Sequence, residues 1–206
     1  GKITCDLLDL MDIENFVISE DTTVEELKST MDGYYNILDS GKCVAFVVRK
    51  NALTYDEKVV YENDNDMIRE EIIEHIVNVT GEDPIVSTTG KASRELFEIR
   101  ESNNQGHQYD FLTVGSMGHT SSIALGVAIN KPDEKIWCID GDGAALMHMG
   151  SLALVGNVNP DNFVHIVINN SAHETVGGMP TVASTMDLVN VAKSCGYSYA
   201  VSVDNF

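Results

Sequence analysis

The residues best suited to chemistry in this chain are Gly141-Asp142-Gly143 and Asn169-Asn170. Each group ends an apolar run, Lys135–Ile139 before the first and Phe163–Ile168 before the second. Apolar runs of that length read as buried strands. Two neighbouring strand ends then bring the carboxylate of Asp142 and the carboxamide of Asn170 to one point. Hard oxygen donors of this kind suit Mg²⁺ or Ca²⁺, ions that bridge a protein to a phosphate-bearing ligand. Gly141 and Gly143 let the backbone approach that ligand closely, and a helix after Gly143 directs free N–H groups at the same place. Gly-Asp-Gly alone is also ordinary turn chemistry; the flanking strands and the asparagine pair set this one apart.

The elements that must position these groups follow from periodicity. After Gly81 the chain alternates regularly: strand Pro84–Thr88, helix Lys91–Arg100, strand Phe111–Val114, helix Gly118–Ile129, strand Lys135–Ile139, helix Ala144–Asn157, strand Phe163–Ile168, a helix over about Ser184–Cys195, and the start of a fifth strand at Tyr199–Val203. Strands alternating with helices predict βαβ units, an α/β fold with a parallel sheet and helices on both faces. Ligands of such sheets bind beyond the carboxyl ends of the strands. Thr88-Thr89-Gly90, Gly115–Gly118, Gly141–Gly143 and Asn169–Gly178 all fall there. Earlier in the chain, residues 1–21 show no clear period. Asp21-Thr22-Thr23 can cap a helix to about Leu38, and Cys43–Val48 reads as a buried strand. Residues 51–65 are polar and acidic, as in a linker. A helix over Asp66–Val79 follows, with Met67, Ile68, Ile72, Ile76 and Val79 on one face.

The formal net charge of -19 excludes a nucleic-acid binder, which needs a basic patch, and an anionic membrane surface as partner. Apolar content of 43% with 22% charged residues is that of a soluble globular chain. No run approaches the roughly 18 apolar residues of a membrane span, and no signal peptide is visible. The four cysteines form no CxxC pair. Cys43 and Cys138 read as small buried residues, and a reducing cytoplasm is the simpler setting.

Four stretches carry a family resemblance: TTGKASREL (Thr88–Leu96), FLTVGSMGHTSSIALG (Phe111–Gly126), DGDGAALMHMGSLAL (Asp140–Leu154) and VINNSAHETVGGMPT (Val167–Thr181). The spacing of Gly141–Gly143 and Asn169-Asn170 resembles the thiamine diphosphate (ThDP) fingerprint. The four stretches together resemble phosphonopyruvate decarboxylase, with sulfopyruvate decarboxylase as a close relative that motifs do not separate from it. The resemblance implies a Rossmann-like ThDP-binding fold. It divides the chain into residues 1–50 as the tail of a pyrimidine-binding domain, 51–80 as linker and connecting helix, and 81–206 as a diphosphate-binding domain cut short at its end. The bulk of the pyrimidine domain, with the glutamate that activates the cofactor, is then absent. A homo-oligomer in which a neighbouring subunit supplies that domain is implied, and the 206 residues by themselves are expected to be inactive.

The same resemblance assigns residues. Asp142, Asn170 and the Ala172 carbonyl would ligate the metal, with Asn169 structural. Thr89, Gly90, Gly141, Gly143 and Ala144 would lie against the cofactor, with Gly143 and Ala144 offering N–H groups to the diphosphate. The Gly115 carbonyl would accept from the 4′-amino group, and Met117 would wedge under the bent cofactor. The implied reaction is decarboxylation of a 2-oxo acid, 3-phosphonopyruvate giving phosphonoacetaldehyde and CO₂. Lys91 and Arg94, at a helix start in an otherwise acidic chain, suit a doubly anionic substrate tail; a solvated helix face is the alternative. His119 and His173 could relay a proton, whereas His148 and His165 read as packing residues, and Glu174 could orient His173. A nicotinamide or flavin Rossmann protein is disfavoured: the third glycine of GxGxxG and the acidic ribose partner are missing. A ferredoxin-linked oxidoreductase subunit would need clustered cysteines. A non-catalytic piece that binds ThDP weakly or packs on partner chains is the reading from another class.

Overall fold

The computed structural model describes residues 2–55 and 65–205. Most of the expected linker, 56–64, lies outside the described residues. Contacts divide the chain into two compact units, 1–59 and 60–206.

In the first unit, α1 (Thr4–Leu10) and β1 (Glu14–Ile18) occupy a stretch without visible period in the sequence. Helix α2 (Val24–Asp39) begins at Thr23, whose hydroxyl accepts from the Glu26 N–H while the Glu26 carboxylate accepts from the Thr23 N–H, a reciprocal capping box. Strand β2 (Val44–Val48) pairs in parallel with β1. It starts one residue after Cys43, which is exposed; the expected burial of that thiol is corrected, since the strand's hydrogen bonds begin beyond it.

The second unit contains α3 (Arg69–Thr80), β3 (Ile85–Ser87), α4 (Lys91–Ser102), β4 (Asp110–Leu112), α5 (Thr120–Asn130), β5 (Ile136–Gly141), α6 (Asp142–Met147), α7 (Gly150–Val158), β6 (Phe163–Ile168) and α8 (Leu188–Ser194). The short pair β7 (Ala172–His173) and β8 (Met179–Pro180) folds the loop after β6 back on itself. The main sheet is parallel in the order β4-β3-β5-β6. Side chains alternate along β5. Ile139, with Trp137 partly buried beside it, packs toward Ile73, Val77, Leu96 and Ile99 of α3 and α4. Ile136 and Cys138 pack toward Ala124 and Ala128 of α5. Both faces are thus covered by helices, the α/β arrangement that the alternation predicts.

Three expectations change. The buried face of α3 is Ile73, Ile76, Val77 and Thr80, whereas Ile68 and Val79 are exposed. The expected helix 144–157 is broken at His148-Met149 into α6 and α7. Residues 199–203 form no strand; without a ladder partner among the described residues their apolar side chains stay exposed.

The Trp137 indole N–H donates to Asp83 at 2.9 Å, tying β5 to the turn before β3. Trp137→Phe keeps an aromatic ring at this partly buried position and loses that bond. We expect a loss of about 1 kcal/mol, read as a small drop in thermal midpoint; an unchanged midpoint would show that the bond contributes nothing net.

Candidate active site

The site follows from the topology. From β3 the chain moves to β4 on one side and then to β5 on the other. The carboxyl ends of β3 and β5 therefore flank a switch point, where a crevice opens. A cavity of about 630 Å³ occupies it. Its walls include Thr88–Arg94 after β3, Leu112–Val114 at β4, Met117, Asp140–Ala144 at the end of β5, and Ile168, Asn170 and Ala172–Val176 after β6. Every residue assigned to cofactor, metal, substrate or proton relay lines it except Gly115 and His119, and the structural Asn169 does not line it either.

Two glycines make the close approaches. Gly90 caps α4 with φ +100°, a conformation that L side chains avoid, and a Cβ there would meet the Thr175 hydroxyl at 3.0 Å. A Cβ on Gly143 would lie 2.6 Å from His173 Cε1 and 3.4 Å from Met117 Cε. Gly143, His173 and Met117 are therefore in direct apposition.

Asp142 is 2% exposed, and its carboxylate accepts from the Thr181 hydroxyl at 2.5 Å. Among the described residues no cation pairs with it. A buried carboxylate whose partner is neutral suits a cation. Asn170 Oδ1 accepts from the Ala172 N–H at 3.1 Å, which leaves a second lone pair for a metal. The donor chemistry fits Mg²⁺ or Ca²⁺. Asn169 accepts from the Ser171 N–H and hydroxyl and so shapes the turn.

Glu174 does not orient His173. It pairs with Lys91 at 2.7 Å and with Arg69, and it accepts from Asn170 Nδ2 at 3.2 Å. Arg69 is clamped in turn by both carboxylate oxygens of Glu95, at 2.6 Å each. Neither Arg69 nor Glu95 was legible as a site residue, because what they fix is a loop 105 residues away. Arg94 is exposed and makes no ion pair among the described residues.

Burial alone pushes the Glu174 carboxyl up, and the hydrogen bonds and charges of Lys91 and Arg69 outweigh it, leaving a pKa below the ordinary value. A carboxyl lowered on folding contributes stability above its unfolded pKa, about 4.3, and that contribution is lost as pH falls through the folded value. Amide exchange in residues 170–178 should therefore accelerate, relative to β5, as pH falls below the ordinary glutamate range. Glu174→Gln should abolish the step; a step that persists in the variant would assign it elsewhere.

His148 and His119 are exposed, with ring centroids 4.1 Å apart. His148 is not a core packing residue: it stands at the helix break, and its Nδ1 lies 3.1 Å from the Met117 carbonyl. His119 Nδ1 lies 3.1 Å from the Ser116 carbonyl. Gly118, at φ +89°, lets these segments meet, since a Cβ there would sit 2.6 Å from His148 Nδ1.

Residues 88–206 match the family described as thiamine pyrophosphate enzyme, C-terminal TPP binding domain. The chain belongs to this family. It is 44% identical over 113 residues to a phosphonopyruvate decarboxylase of Streptomyces viridochromogenes, covering 55% of this chain and 27% of that protein. It is 41% identical over 130 residues to a sulfopyruvate decarboxylase subunit beta of Methanocaldococcus jannaschii, covering 62% of this chain and 66% of that subunit. A solved structure described as a thiamin diphosphate-dependent enzyme isolated from Mycobacterium smegmatis shares the fold, with a TM-score of 0.51 at 18% identity, over 67% of this chain and 28% of that one. The chain thus spans about a quarter of the phosphonopyruvate decarboxylase and two thirds of the sulfopyruvate decarboxylase subunit. Among the described residues no helix is long and apolar enough to cross a membrane.

Proposed function

We propose that this chain forms the diphosphate-binding part of a cytoplasmic, ThDP- and Mg²⁺-dependent decarboxylase acting on 3-phosphonopyruvate to give phosphonoacetaldehyde and CO₂. The observation that carries the reading is one cavity holding both the oxygen donors at Asp142, Asn170 and Ala172 and the cationic first turn of α4. Bound ThDP supplies an electron sink for the decarboxylation of a 2-oxo acid. Asp142, Asn170 and the Ala172 carbonyl hold Mg²⁺, or Ca²⁺ in its place. The Gly143 and Ala144 N–H groups, in the first turn of α6 and without intrahelical partners there, donate to the diphosphate, while Thr89, Gly90 and Gly141 let it approach. Met117, in the cavity wall, would support the cofactor, and the Gly115 carbonyl would accept from its amino group. His173, beside Gly143, would be the residue to carry a proton to the product, with His119 as the second candidate. Lys91 and Arg94 bind the phosphonate. A neighbouring subunit in a homo-oligomer completes the site with a pyrimidine-binding domain.

Sulfopyruvate is the second substrate reading, favoured by the two-thirds coverage of a sulfopyruvate decarboxylase subunit. Turnover of phosphonopyruvate, sulfopyruvate and pyruvate by the native protein with ThDP and Mg²⁺ separates them. A clear preference for phosphonopyruvate supports the proposal, preference for sulfopyruvate replaces the substrate, and no turnover of any rejects the decarboxylase reading.

A further inference from the structure

Behind the cavity, Cys138, Asp140 and His165 bring their ligating atoms within 4.8 Å of one another. The Asp140 and His165 side chains are 1% and 4% exposed. His165 is packed, as its place in a strand predicts, but its polar atoms are not neutral filling. Asp140 Oδ2 and His165 Nε2 face each other at 3.6 Å, and neither has a hydrogen-bond partner. Two such buried groups are costly unless they satisfy each other. The other atoms of the pair are engaged. Asp140 Oδ1 accepts from the Gly141 N–H at 3.1 Å, and His165 Nδ1 lies 2.9 Å from the Tyr197 hydroxyl.

Geometry selects the tautomer. A bare Nε2 lone pair facing a carboxylate would be repelled, so Nε2 carries the proton and Nδ1 accepts from the tyrosine O–H. Closing the 3.6 Å gap would complete a chain in which Tyr197 donates to His165, His165 donates to Asp140, and the Gly141 N–H donates to Asp140. Cys138 stays outside it, because burial and the neighbouring Asp140 push its thiol up and keep it protonated.

We propose that Tyr197, His165 and Asp140 form a buried brace that sets the position of the Gly141–Gly143 loop, with His165 as its positioning residue. The brace links β6, the end of β5 and the segment after α8, so it fixes the first glycine of the cofactor loop from beneath. Its effect on the cofactor rests on the reading of that loop as the diphosphate site.

The test uses the native protein and two readouts. Nitrogen NMR of His165 should show Nε2 protonated and Nδ1 bare, with no metal in stoichiometric amount. Cofactor titration should show Tyr197→Phe and His165→Leu binding ThDP with Mg²⁺ on the order of 10-fold more weakly, the size of effect expected when an outer-shell partner is lost. His165→Gln, whose amide can accept from tyrosine and donate to aspartate, should bind within about threefold of the parent. If His165→Leu does not fold, Tyr197→Phe, which loses one hydroxyl, decides. Wild-type affinity in Tyr197→Phe, a proton on Nδ1, or bound zinc joining Cys138, Asp140 and His165 would each overturn the brace. If the parent itself fails to bind ThDP while His165 shows the expected tautomer, the brace stands and the cofactor reading falls.

Discussion

Asp142→Ala should remove metal-dependent binding of ThDP, with affinity falling about 100-fold or more; loss of an outer-shell partner alone costs about 10- to 100-fold at metal sites, and Asp142 would touch the ion directly. The ligand-free protein should show no matching loss of stability. Asp142 is a buried carboxylate whose partner among the described residues is the Thr181 hydroxyl, so its charge is uncompensated until a cation arrives. Removing it relieves that cost and leaves one hydroxyl to find another acceptor. The two effects have opposite consequences in one thermal melt. The wild-type midpoint should rise with ThDP and Mg²⁺, a gain near 2.7 kcal/mol when ligand stands at about 100 times its dissociation constant. In Asp142→Ala the ligand-free midpoint should hold or rise and the ligand-induced shift should vanish. A variant that keeps both the shift and its Mg²⁺ dependence would remove Asp142 from the metal site.

The parts of the fold that could be read from the sequence were those set by local pattern. β5 and β6 carry continuous apolar runs because helices cover both faces of the sheet, and their bounds fall within two residues of the expected ones. The break between α6 and α7 was not legible. Ala144–Leu154 has no proline, and its one internal glycine, Gly150, is weak as a signal. The interruption coincides with the His148 ring turning to the Met117 carbonyl, on a segment thirty-one residues earlier in the chain. The rotated face of α3 has a similar origin. Thr80 is buried because its hydroxyl bonds the Val77 carbonyl, so a polar residue takes a core position that an apolar count assigns to Val79.

Within the site, backbone requirements were legible and side-chain partnerships were not. Gly143 stands where a Cβ would collide with His173, and Gly90 holds a positive φ that L side chains avoid; glycine in such places is a readable signal. The clamp of Glu95, Arg69, Glu174 and Lys91 joins α3, α4 and the loop after β6, elements whose adjacency exists only in the folded sheet. Asp140 shows the limit most clearly. It adjoins Gly141 in sequence, yet what distinguishes it is His165 on the next strand, which the register places opposite Cys138.

That clamp makes the two basic residues in the first turn of α4, Lys91 and Arg94, unequal. Lys91 holds Glu174 at 2.7 Å and, as a substrate ligand, would have to exchange it for the substrate anion, while Arg94 is exposed and has no ion pair among the described residues to give up. A phosphonate or sulfonate presents several acceptors to the guanidinium fork, and hydrogen bonds to charged groups contribute about 1.5–3 kcal/mol. Arg94→Ala should therefore lower kcat/KM for the anionic 2-oxo acid about 10- to 100-fold, chiefly through KM, with pyruvate turnover unchanged because pyruvate lacks the tail. Lys91→Ala should cost less, since part of its charge is already committed. Glu174→Gln should lower KM for the anionic substrate by freeing Lys91, even as it loosens the loop that carries Asn170. Comparing each variant on tailed and tail-less substrates tests the assignment. An equal loss on pyruvate would place Arg94 in cofactor binding or folding, and a larger loss from Lys91→Ala would show that the Glu174 pair opens at no cost when substrate binds.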